Sequence, residues 1–328
     1  MGKPMITCIV DTTYTLSLYL LYVTKADIDE TVFFVGNAIP DTISSKLPNV
    51  IRIDNSKNNY GRKVDVFMRR IESLFRWRFR FNTIMYAQDH LAFSAHLIGH
   101  HSYVLLEDAP NIYTNYKNIS FMRPDFASSL YKRLGRYILL GPIGRCKLGT
   151  NSQCIDRLVT SERDLQSDIL KGRKTTLLNL TELWNKSSDD KKKYIMDVFG
   201  IEDLVMRQSM SCSTILFSQP LMEDCRLSEQ EMKGIYASYI SQYSAEGIVI
   251  KPHPRDKFDY FKHFPQVMIL DCKAPMQLLS AMGMNFKRAI TVCSSAVSSM
   301  SDDTEIIWIG AKVNDKVLSV YGDLKCPR

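Results

Sequence analysis

Apolar and polar positions along this chain keep switching between two rhythms. Short β-branched runs of four to six residues alternate with segments whose apolar positions recur at helical spacing. Met5–Val10 is such a run. It is followed by the polar turn Asp11-Thr12-Thr13-Tyr14-Thr15 and the apolar segment 16–23, which reads as strand, turn and helix opening a doubly wound half. Further strands are expected over 31–36, 49–53, 83–86 and Tyr103–Leu106. A helix over 63–81 is carried by Val64, Phe67, Ile71, Leu74 and Phe75, and another, holding His90, His96, His100 and His101, separates the last two strands. The region 123–203 is the least regular. It has a basic helical stretch at 128–140, a break at Gly141-Pro142-Ile143-Gly144 and a solvated charge run at 187–194. A second strand–helix alternation then begins, with strands over 213–217, 247–250, 267–270, 288–292 and 305–309 and helices over 228–243 and 275–282. The expected fold class is α/β, with two Rossmann-like domains facing one another, residues 1–200 and 201–328.

Composition narrows the class without naming a partner. With 328 residues, 45% hydrophobic and 23% charged, the chain can form two ordinary domains and is no disordered tail. A net charge of +7 leans towards anionic partners such as nucleotides or an anionic membrane face. No nucleic-acid-binding signature accompanies it. Eight cysteines occur with no CxxC pair, as expected of a reduced, cytoplasmic protein. Neither a signal peptide nor a run of 18 apolar residues is visible.

The chemistry has to come from strand ends, because GxGxxG and GxxxxGK[ST] are both absent. His96 and His100 stand at i, i+4, but no HExxH accompanies them, so no metal site is expected. Four other stretches follow predicted strands: Glu107-Asp108-Ala109; Ser218-Gln219-Pro220-Leu221-Met222-Glu223-Asp224-Cys225; Lys251-Pro252-His253-Pro254-Arg255-Asp256; and Cys293-Ser294-Ser295. In open α/β sheets ligands bind beyond the carboxyl ends of strands. Two prolines stiffen the loop that presents His253, and Lys251 and Arg255 enrich its positive charge. That suits a phosphate. Serine hydroxyls at a helix start can add anion contacts, and a strand-end carboxylate can take a proton from an attacking hydroxyl. The same acids and serines are equally at home as helix caps.

Taken in order, Ser218-Gln219-Pro220-Leu221, Glu223-Asp224, the histidine–proline turn and the late Ser294-Ser295 resemble bacterial sialyltransferases, most closely glycosyltransferase family 52. Such enzymes carry an acidic D/E-D/E-G motif, an HP motif and a serine motif. The resemblance covers residues 215–299; in the N-terminal half only Asp11-Thr12-Thr13-Tyr14-Thr15 and Glu107-Asp108 match. It implies the GT-B fold, a CMP-sialic acid donor held by the C-terminal domain, and inverting transfer without metal or cofactor. It also implies that His253, Ser294 and Ser295 contact the CMP phosphate and that Gln277 contacts the nucleoside. Thr12, Thr13 and Glu107 fall on the acceptor side. The base is Asp108 or Asp224, with Asp108 slightly favoured. The motif glycine is Ala109 at one and Cys225 at the other, which leaves the loop geometry open. A related GT-B enzyme with another nucleotide sugar, or a glycan-binding homologue with altered chemistry, is the alternative. Expected partners are the nucleotide sugar and a glycan or lipid-linked glycan of lipooligosaccharide or capsule. Arg76, Arg78 and Arg80 between aromatics, with Lys132, Arg133 and Arg136, suit peripheral contact with the inner membrane or an ordinary helix surface. A homodimer is left open.

Overall fold

The computed structural model describes residues 5–53, 83–91, 94–99, 101–114 and 148–326. The expected helix at 63–81 with Arg76, Arg78 and Arg80, the basic stretch with Lys132, Arg133 and Arg136, the 141–144 break, His100 and the side chain of His96 lie outside them. The chain forms two compact units, Met1–Val198 and Phe199–Arg328.

In the N-terminal unit the strands are β1 (Met5–Val10), β2 (Val32–Val35), β3 (Val50–Arg52), β4 (Thr83–Ala87), β5 (Tyr103–Leu106), β6 (Cys154–Val159) and β7 (Thr176–Leu177). They form one parallel sheet in the order β3-β2-β1-β4-β5-β6-β7. β1 is buried along almost its whole length, as a central parallel strand covered on both faces must be. The helix Thr13–Tyr22 follows it and is buried from Tyr14 to Leu21. Its amino end is capped by Thr12, whose side chain accepts from Thr15 N.

The second unit repeats the plan. β8 (Thr214–Phe217), β9 (Ile248–Lys251), β10 (Met268–Ile269), β11 (Arg288–Thr291) and β12 (Glu305–Trp308) make a parallel sheet in the order β10-β9-β8-β11-β12. The helix Glu229–Tyr243 packs on it through Met232, Ile235, Tyr236 and Ile240, and starts with a capping box between Ser228 and Glu231. At the amino edge Arg288 binds Glu246 (2.6 Å) and Glu305 (3.0 Å).

Three expectations change. β6 and β7 run through the stretch read as irregular. The described helix between β4 and β5 is Ser94–Ile98, and His90 stands in a bend ahead of it. The run 187–194 is not wholly solvated either: Lys191, 7% exposed, donates to Leu21 O and Val23 O (2.7 Å each) at the end of the first helix. Burial lowers its ammonium to about 8. All seven described cysteines are free thiols, and among the described residues no helix is long and apolar enough to cross a membrane.

Candidate active site

Both sheets reverse strand order at one place, between β1 and β4 and between β8 and β11. Crevices for ligands open beyond the carboxyl ends of the strands at such points, and the polar side chains of each unit collect there.

In the N-terminal unit the ends of β1, β4 and β5 deliver Asp11, Gln88, His90 and Asp108. Gln88 is fully buried; its Oε1 accepts from Asp11 N (2.6 Å), and its Nε2 donates to Asp108 Oδ1. His90 Nε2 stands 3.7 Å from Asp108 Oδ2. Burial raises the Asp11 carboxyl; the Ala38 N–H opposes this, Asp108 adds to it and His90 opposes it. Asp11 lies so close to Gly36 that a Cβ there would overlap its carboxyl group.

Glu107 has a different environment from its neighbour. It is fully buried, and its Oε1 accepts from Tyr14 OH, Thr160 N (2.9 Å) and Thr160 Oγ1 (2.5 Å). Its carbonyl accepts from Thr15 Oγ1 (2.9 Å), and among the described residues Oε2 has no partner. Burial pushes this carboxyl up to about 8, despite the hydrogen bonds from Thr160 and Tyr14 that lower it. The folded chain therefore holds this proton above the pH at which the unfolded chain has released it, so stability falls as pH rises from about 4.5 through about 8. Glu107→Gln, which mimics the neutral acid, should lose that decline. Unfolding midpoints at pH 5 and pH 8 should converge for the variant, and parallel wild-type and variant curves would refute the assignment.

In the C-terminal unit Ser218, after β8, organises the histidine loop. Its Oγ accepts from His253 N (2.9 Å) and donates to Asp256 Oδ2 (2.5 Å), whose carboxylate also accepts from Phe258 N (3.0 Å) and Tyr260 OH (2.8 Å). His253 Nδ1 accepts from Arg255 N (3.1 Å). That bond assigns the neutral ring's proton to Nε2, leaving a hydrogen-bond donor directed away from the loop backbone. Burial and the Arg255 charge hold His253 below its ordinary value, so the ring is neutral near pH 7.

The cations around the loop separate. Lys251 is buried, with Nζ donating to Cys272 O (3.2 Å), and burial lowers its ammonium. Arg255 is exposed and forms a bidentate pair with Asp224 (2.9 Å for both bonds). Tyr321 OH donates to the same carboxylate (2.7 Å). The Arg255 and Tyr321 donors hold Asp224 below the usual carboxylate range. Neither Cys225 nor Ala109 has a positive φ; the left-handed positions are Arg226 (56°) and Asn111 (61°). A side chain in place of the motif glycine therefore strains neither backbone.

Ser294 follows β11. Its N donates to Thr291 Oγ1 (3.0 Å), and its Oγ caps the short 3-10 helix Ser295–Ser299 through Ala296 N (3.3 Å). The side chain of Ser295 lies outside the described residues. Gln277 is the second residue of the helix Met276–Ala281. Thr12 caps and Thr13 opens the first helix. Gln88, His90 and Asp256 were not singled out as site residues. The strand-end rule that flagged Glu107 and Asp108 would have flagged Gln88 and His90 too, had the latter not been read into a helix.

Residues 31–311 match the model of glycosyltransferase family 52. A protein from Haemophilus influenzae described only as uncharacterized is 30% identical over 249 residues, 74% of this chain and 73% of that one. Among solved structures, an alpha/beta-galactoside alpha-2,3-sialyltransferase from Photobacterium phosphoreum aligns with a TM-score of 0.57 at 10% identity, covering 98% of this chain and 96% of that one. The GT-B domain of a Photobacterium damselae sialyltransferase gives 0.54 at 14%, covering 93% and 90%. A UDP-GlcNAc 2-epimerase from Methanocaldococcus jannaschii gives 0.52 at 11%, covering 98% and 93%. These likenesses place the two parallel sheets in the GT-B fold.

Proposed function

Because this chain belongs to glycosyltransferase family 52, we propose that it is an inverting sialyltransferase, moving sialic acid from CMP-sialic acid to a hydroxyl of a galactoside or sialoside. The observation that carries this reading is the histidine loop: a stiff turn whose ring, with Nδ1 already occupied by Arg255 N, keeps Nε2–H for a phosphate oxygen. The donor belongs to residues 201–328 on this reading. His253 and Ser294 donate to the departing CMP phosphate, Ser295 and Gln277 add contacts to phosphate and nucleoside, and Lys251 contributes charge from beneath. The acceptor belongs to residues 1–200, with Thr12, Thr13 and Glu107 shaping its side. Asp108 takes the proton of the attacking hydroxyl as oxygen bonds the anomeric carbon and the phosphate leaves from the opposite face.

Asp108 is preferred over Asp224 on electrostatic grounds. A carboxylate clamped by a guanidinium and a phenol gives up its lone pairs and its basicity. Asp224 then serves to hold Arg255 beside His253. On this reading the transfer proceeds without a metal or cofactor. The acceptor is a surface glycan of lipooligosaccharide or capsule, which brings the enzyme to the cytoplasmic face of the inner membrane.

The test is transfer from CMP-sialic acid to a panel of galactosides and sialosides, read by mass with and without EDTA. Alongside it, CMP at 100 times its dissociation constant should stabilise the protein by roughly 2.7 kcal/mol. Stabilisation by UDP and not CMP would move the donor to a nucleotide hexose. Acceptor binding with neither transfer nor hydrolysis would leave a glycan-binding protein.

A further inference from the structure

Gln88 makes two hydrogen bonds that constrain each other. Its amide oxygen is committed to the Asp11 N–H (2.6 Å), so its NH2 must be the end that meets Asp108 Oδ1. The residue is fully buried and stands one position beyond β4, in register between the ends of β1 and β5. A buried amide with both ends engaged cannot rotate without orphaning a backbone donor. It also offers Asp108 only a donor, which a carboxylate oxygen can satisfy without carrying a proton. Among the described residues the groups facing Asp108 are Asp11 from the end of β1 and His90 from the stretch after β4, with buried Glu107 preceding it in the chain.

We infer that Gln88 is a positioning residue for Asp108: locked by the Asp11 backbone, its amide donates to Oδ1 and fixes the carboxylate's orientation. The inference rests on the reading of Asp108 as the base. Asp11 contributes through its backbone N–H to the lock and through its carboxyl to the local negative charge. Its carboxyl is held in turn by Ala38 N (3.1 Å) in the space that Gly36 leaves open.

Gln88→Glu separates this role from simple packing. The substituted side chain can still accept from Asp11 N, but its second oxygen faces Asp108 Oδ1 where the NH2 was. Two carboxyl groups in that contact share a proton. The pH dependence of kcat for transfer from CMP-sialic acid to a galactoside should then move its acid limb upward by about one pH unit or more. Turnover at pH 7 should fall about tenfold, with KM for the acceptor changed less than about twofold. An acid limb that superimposes on that of the wild type overturns the inference. Should Gln88→Glu not fold, Gln88→Met keeps the volume without the donor. A lower kcat at unchanged KM supports the positioning role, and wild-type kcat overturns it. Asp108→Asn, assayed in parallel, distinguishes the two failures. If it retains turnover, the base assignment falls and the inference with it. If it is inactive while both Gln88 variants behave as wild type, only the role of Gln88 fails.

Discussion

His253→Ala should lower kcat by at least two orders of magnitude while the protein stays folded. Removing one preorganised hydrogen-bond donor aimed at developing negative charge costs about 10²–10³ in kcat, and this imidazole offers the phosphate an Nε2–H that no neighbouring side chain of the loop replaces. The fold loses little, because the loop is held by other bonds. Ser218 Oγ accepts the backbone N–H of residue 253, and Asp256 is fixed by Ser218, Phe258 and Tyr260. Among the described residues the ring makes one hydrogen bond, accepted from Arg255 N, a single neutral bond of about 1 kcal/mol. Kinetics and thermal unfolding on the same preparation test both halves. Near-normal transfer would remove His253 from the phosphate, and a collapsed unfolding midpoint would make it a structural residue.

Asp108→Asn should cost a similar two or more orders of magnitude in kcat with the acceptor KM nearly unchanged, since the amide preserves shape and loses only basicity. Asp224→Asn is the contrasting case. It removes the charge from the pair with Arg255 and frees the guanidinium, so its effect should be smaller and should fall on donor KM. A reversal, with Asp224→Asn inactive and Asp108→Asn active, would transfer the base to the C-terminal unit.

Most strands could be read from the sequence because parallel strands buried on both faces are nearly continuous apolar runs, as at Met5–Val10 and Ile248–Lys251. β6 escaped for a physical reason. Asp156 and Arg157 interrupt its apolar pattern, yet both are buried and satisfied. Asp156 binds Thr176 (2.9 Å) and Lys174 (2.9 Å), and Arg157 binds Gly149 O and Lys174 O (3.0 Å). Lys191 misleads in the same way, since a lysine inside an Asp-Lys run gives no sign that helix carbonyls await its ammonium. In the site, the rigid loop around His253 was legible because prolines announce themselves. The lock at Gln88 was not: a glutamine carries no motif, and its partners lie 77 and 20 residues away.

Every pairing between the described strands is parallel, so the groups assigned to chemistry stand at one end of each sheet, and a second end is left without them. Arg288 with Glu246 and Glu305, and Ser213 O accepting from Lys287 N and Arg288 N, belong to that second end. At the chemistry end the same residues also tie strands together: Gln88 joins the end of β1 to that of β4, and Glu107 joins the end of β5 to Thr160 after β6. A lineage, or a protein engineer, that re-tools the loops after β4 and β5 for a new sugar must therefore keep or replace those ties, whereas the contacts of Arg288 at the far end are left untouched.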